Sequence, residues 1–266
     1  MQQQLDWGMG KPGLEDGFLG AQSEIETATG HLAKARELTR RAIQSALQSG
    51  SKEMAAFWQG QGAMHEAEMG NAQEAAKQAA VALTMLRNRD TLILAALALA
   101  RVGESDRARA LADQLDRASP HGTFMQFYWP PAMRAMMDLN HRDGEAALQA
   151  LQPAAPYDLC ISPPWQGLFP VYLRGQAFLQ THEGAPAALE FQKVLAHRAM
   201  VNFLSGNLAN LELGRAYAIS GDTANAKKAY QDFFTFWKDA DADIPVLKAA
   251  KAEYAKLAAV SESIAH

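Results

Sequence analysis

Four stretches carry residue types that do chemistry in other settings. Gly8-Met-Gly10-Lys11-Pro12-Gly13 has the glycines and lysine of a phosphate-cradling loop. Pro12, however, stands where a magnesium-binding Ser or Thr belongs, and no strand pattern leads into it. His65-Glu66-x-Glu68 offers an imidazole and two carboxylates, but no second histidine lies at zinc-hydrolase spacing, so it reads as exposed helix surface. His141-Arg142-Asp143 matches the start of a kinase catalytic loop, which needs an Asn five residues after the Asp to hold magnesium. Leu148 stands there instead, and Asp232-Phe233-Phe234 replaces Asp-Phe-Gly. Cys160 sits in a Pro-rich loop with no His at motif spacing, an ordinary thiol. The sequence therefore predicts no catalytic residues, no cofactor and no metal ligand set.

The elements that would carry these residues form a repeat. In Leu208–Lys238, Leu213-Gly214-x-x-Tyr217 fits one helix, Gly221-Asp222 a break, and Ala226-x-x-x-Tyr230 a second helix. Large, small and aromatic residues at these offsets are the tetratricopeptide pattern, each repeat a helix A and a helix B. Gly214 lets helix B approach, Tyr217 and Tyr230 fill the interhelical space, and Asp222 is placed to cap helix B. Equivalent small residues on helix A fall at Ser23, Ala63, Ala96, Ala135 and Gly175, and on helix B at Ala35, Ala75, Ala108, Ala147 and Ala187. Breaks carry Gly30, Gly70, Gly103, Arg142-Asp143 and His182-Glu183-Gly184.

The fold predicted is all-α: a right-handed superhelical solenoid of about six hairpins, near 17–49, 53–87, 90–120, 128–152, 168–198 and 207–238. A capping helix follows at 245–260, with Leu247, Ala250, Tyr254 and Leu257 on one stripe. Residues 1–16 cap or fray. Phe124–Pro131 and Pro153–Trp165 read as loops because proline lacks the amide donor, with helices starting close behind. One domain spans 1–266.

Composition narrows the partners. The net charge is −4 with no basic block, which argues against nucleic acid. A single cysteine excludes a disulfide framework. The longest apolar run, Leu92 to Ala100, is far short of the roughly 20 residues a membrane helix needs, so the chain reads as soluble, without membrane insertion. Arg36, Arg40 and Arg41 read as a solvated surface.

Counting outward positions on helix A places a concave binding face at Phe57, Gln61 and Met64, then Trp129, Met133 and Met136, then Phe169, Tyr172 and Gln176, and finally Leu211 and Arg215. Arg215 is the one cation among them, and the Met-rich, aromatic remainder suits an adaptable apolar groove. Two outcomes stay open: a partner site in which Trp129, Met136, Tyr172 and Arg215 share one concavity, or packing of the same residues against Pro-rich loops 120–131 and 153–168.

Several segments, Val171–Phe178, Glu190–Arg198, Leu213–Asp222, Ala229–Asp241, Asp243–Tyr254, Met1–Leu5 and Leu32–Arg36, resemble the C-terminal repeat region of acidobacterial serine/threonine protein kinase-like proteins. The resemblance implies a sensory or scaffolding module with a kinase domain upstream, sometimes beyond a membrane segment, and Met1 is then either a native start or an internal residue. Such a module is cytoplasmic or extracytoplasmic accordingly. The expected function is non-catalytic binding of a protein or peptide, as the interaction arm of a signalling kinase. The alternative is a sensor of a small molecule or cell-wall fragment.

Overall fold

The computed structural model describes residues 8, 10–160, 167–198, 200 and 203–264. Among them the chain is helical and has no strand. The helices run α1 (Glu15–Ala28), α2 (Leu32–Gln48), α3 (Lys52–Met69), α4 (Ala72–Met85), α5 (Arg89–Arg101), α6 (Ser105–Ala118), α7 (Thr123–Phe127), α8 (Trp129–Asn140), α9 (Gly144–Leu151), α10 (Phe169–Gln180), α11 (Gly184–Ala196), α12 (Phe203–Ile219), α13 (Thr223–Phe236) and α14 (Pro245–Ile264). A 3₁₀ turn, Gln152–Tyr157, follows α9. Consecutive helices pack as pairs, α1 on α2 through α12 on α13, in the manner of an α-solenoid.

Composition explains which helix of a pair lies inside. In α5 every residue from Thr91 to Ala100 is buried, whereas α6 buries only Ala108, Leu111 and Leu115. A helix apolar all round must be covered all round; one with a single apolar stripe lies on the outside. The inner helices are α1, α3, α5, α8, α10 and α12, each against the next. The row also closes, because α12 packs back against α1.

A short segment seals that seam. Trp237, buried beyond α13, donates its indole N–H to the Ala28 carbonyl at 2.9 Å, and the Asn207 amide reaches the same oxygen at 2.6 Å. Asp241 N–H donates to the Gly30 carbonyl at 2.9 Å. Gly30 has φ +82°, and a Cβ there would sit 2.5 Å from that of Ala240, so only glycine fits both the turn and the closure. α14 packs on α13 and buries Leu247 and Ala250, while Phe236 keeps 45% of its surface exposed.

Several expectations need correction. Phe124–Pro131 is not a loop: α7 occupies Thr123–Phe127, and α8 starts at Trp129 with Pro130 and Pro131 in its first turn, where a missing N–H has no partner to lose. The 153–157 stretch is a 3₁₀ turn. Residues 1–7, 9 and 161–166, including parts of the N-terminal segment and the second Pro-rich passage, lie outside the described residues. Between helices, Arg142 and His182 take left-handed φ of 60° without being glycine. Asp143 and Asp222 cap α9 and α13 through Ala146 N–H at 2.9 Å and Asn225 N–H at 3.1 Å.

Candidate functional site

The inner helices bring polar side chains to one end of the ring. Arg101 lies in the last turn of α5, where a cation complements the helix dipole. Its Nε donates to Glu68 at 2.8 Å and its Nη1 to Gln176 at 2.9 Å. Gln176 in turn donates to Glu212 at 3.1 Å and to the Tyr172 hydroxyl at 3.3 Å. Glu212 accepts from Arg215 Nη1 at 3.1 Å. Arg215 also grips Glu253 of α14 with two bonds of 2.9 Å, and the Tyr230 hydroxyl donates to Glu253 at 2.9 Å. One polar chain thus crosses α3, α5, α10, α12, α13 and α14.

The electrostatics follow from burial and pairing. Burial works against the charge on Arg215, yet Glu212 and Glu253 outweigh it and hold the guanidinium more firmly protonated than usual. Burial pushes the Tyr172 hydroxyl well above its ordinary pKa, and the Glu212 carboxylate adds to this, so it stays neutral. Tyr230 is raised likewise by burial and then by Glu253.

Beside this chain lies an open cleft of about 630 Å³, bounded by Arg101, Asn140, Arg142, Gln176, Leu179, Gln180, Arg215 and Glu253 among others. Arg142 belongs to the α8–α9 turn and its guanidinium has no ion pair or hydrogen bond among the described residues. Arg101 Nη2 is buried and has no hydrogen-bond partner. A smaller groove, about 310 Å³, lies between α2 and α4 around Arg36 and Glu66.

The eleven positions expected to form a concave face divide sharply. Phe57, Gln61, Met64, Trp129, Met133, Met136, Phe169, Tyr172 and Leu211 are all buried. Apart from Gln61 they belong to one hydrophobic core, together with Met125, Tyr128 and Leu168 from the two proline-containing passages. Closure of the ring makes them interior, so they do not line an open apolar groove. Gln176 and Arg215 alone are half-buried and line the cleft. Of the four residues expected in one concavity, Tyr172 and Arg215 are linked through Gln176 and Glu212, while Trp129 and Met136 lie in the core.

The motif around His65 also needs correction, since it is not exposed. His65 and Glu66 are 4% and 1% exposed because α3 is an inner helix. Glu66 takes a bidentate bond from Arg36 at 2.6 and 2.8 Å and a third from Asn71 at 2.9 Å. Arg36 is thereby an ion-pair partner rather than plain solvated surface. The Thr27 hydroxyl donates to the Ser23 carbonyl, so at 3.2 Å it accepts from His65 Nδ1–H, which fixes the tautomer. Burial lowers the His65 pKa to about 4, keeping the ring neutral. Sequence reading takes Glu68 for exposed helix surface and misses Arg101, whose only signal is a charge at the end of an otherwise apolar helix.

Among the described residues no three His, Cys, Asp or Glu side chains come together to hold a metal ion, and no helix is long and apolar enough to cross a membrane. Comparison with protein-family models, with curated proteins and with solved structures returned no match.

Proposed function

We propose that this chain is a non-catalytic binding module of tetratricopeptide type whose ligand enters the polar cleft. The observation that carries the reading is the division of the groove positions, nine in the core and two, Gln176 and Arg215, on the cleft wall. With α12 against α1, an extended peptide has no open inner face to run along. A protein partner would instead insert a loop tip or chain end. The likeness of the repeats to kinase-associated arrays supports a place in signalling with no catalysis of its own. A second reading, a sensor of a small molecule, is favoured by the cleft's volume, which falls in the roughly 300–1,000 Å³ range of small-molecule sites.

The test is photo-crosslinking in an extract of the source cells, with p-benzoylphenylalanine replacing Gln180 on the cleft wall or Leu189 on the exposed face of α11. Ligand capture from position 180 and not from position 189 is expected. Capture from 189 alone would move the binding surface to the outside of the ring.

A further inference from the structure

We propose that the second half of α14, from Lys251 on, is a gate on the cleft, latched by Glu253 and able to open while the ring stays closed. The gate goes beyond the binding reading above and does not depend on what the cleft binds. α14 is held in two different ways along its length. Its start is pinned. Trp237 and Asp241 are bound into the seam, and Ile244, Leu247 and Ala250 are buried in the core. Pro245 lies so close to Gly70, in the α3–α4 turn, that a Cβ on Gly70 would come within 3.0 Å of it. From Lys251 to Leu257 no residue is buried, and Lys251, Ala252, Ala255 and Lys256 are exposed. Among the described side chains three hold this half. Glu253 takes two bonds from Arg215 and one from Tyr230, all at 2.9 Å. The Tyr254 ring lies 5.9 Å from that of Tyr230 and 5.6 Å from that of Phe234, and its hydroxyl accepts from Gln231 at 3.0 Å. Leu257 rests half-buried on the core.

The two halves differ in what their release exposes. Freeing the first strips apolar side chains and breaks the seam, so it opens only with the ring. Freeing the second breaks an ion pair whose side chains are 26% and 36% exposed, and such a pair contributes little against water. No charge is stranded, because Glu253 passes to solvent and Arg215 keeps Glu212 on Nη1 at 3.1 Å. Opening does change the cleft, since Glu253 and Arg215 both line it. With the latch closed the Arg215 fork is filled from within the chain. With it open, Nε and Nη2 are free for an acceptor entering the cleft.

The experiment is hydrogen exchange of the whole chain, read by mass spectrometry over residues 251–259, α12 and the seam at 237–244. Glu253→Ala removes the latch and, alanine being the best helix former, does not weaken α14 by propensity. Exchange in 251–259 should quicken by about threefold or more, with α12 and the seam unchanged. Lys251→Ala, at an exposed position two residues earlier, should quicken none of the three regions. Raising the salt from about 10 mM to about 1 M screens the ion pair, so it should quicken 251–259 in the unaltered chain and not in Glu253→Ala. Unchanged exchange in Glu253→Ala would overturn the latch, as would equal acceleration in Lys251→Ala or a salt response undiminished in Glu253→Ala. Acceleration that spreads to α12 and the seam would show that α14 opens only with the ring, and would overturn the gate.

Discussion

The carboxylate of Asp241 accepts the backbone N–H of Ala33 at 2.7 Å, across 208 residues of sequence. Ala33 is in the first turn of α2, whose own N-cap residue, His31, makes no capping bond with its side chain. The segment between α13 and α14 therefore caps a helix of the first pair, and the capping bond is also a bond of the seam.

Asp241→Ala should lower stability by about 1 kcal/mol, the usual loss on removing an N-cap. Amide exchange at Ala33 and Lys34 should accelerate while that in α8 and α9 does not change. Uniform acceleration along the chain would mean that the seam and the rest of the ring open together.

Gly30→Val should part the seam. The left-handed φ costs a branched residue about 1–2 kcal/mol, and the added carbons collide with Ala240 and Trp237. Gly221 has φ +76° and open space around it, so Gly221→Val reports the backbone cost alone. Small-angle scattering should show a larger radius of gyration for the first variant only, with helix content unchanged in both.

Gly214→Leu tests the fit within a pair. A Cβ at Gly214 would lie 2.9 Å from Tyr230 Cδ2, tighter than van der Waals contact permits. Overpacking of this kind costs about 1–3 kcal/mol, read as a lower denaturation midpoint. An unchanged midpoint would show that α12 and α13 separate without cost.

His65 should make stability depend on pH. Burial lowers its pKa to about 4 when folded, against 6.5 for the free side chain. Between those values the unfolded chain binds the proton and the folded one does not, so stability falls as pH drops from 6.5 toward 4, by roughly 3 kcal/mol at most. Glu24 opposes this: burial raises its pKa despite the hydrogen bond from Gln61, so its contribution is lost as pH rises through the raised value. His65→Asn keeps a donor for Thr27 and removes the titration. Its stability profile should be flatter from pH 4 to 6.5, and an identical slope would assign the dependence elsewhere.

What the sequence makes legible is local. The pairing of neighbouring helices is written in small and aromatic residues twelve to sixteen positions apart, such as Gly214 and Tyr230, which touch in the fold. Closure is not local: the Trp237 to Ala28 bond spans 209 residues and depends on a rotation accumulated over every pair. That one omission accounts for the misplaced face, because positions pointing into an open superhelix point into a core once the row closes. His65, Glu66 and Glu68 are misjudged for a different reason: they look like solvated helix until Arg36 and Arg101, 30 and 33 residues away on neighbouring helices, pair with the carboxylates.

The meeting of α1 and α12 has a last consequence, for how such a chain can change length. An open array gains or loses a unit at little structural expense, since each unit needs only its neighbour. Here the six inner helices form a closed row, each against the next and the last against the first. A duplicated hairpin would find no angular gap to occupy, and a deleted one would leave Asp241 too far from Ala33 to cap it. The contacts at the seam act as a counting device, making repeat number a property selected by geometry.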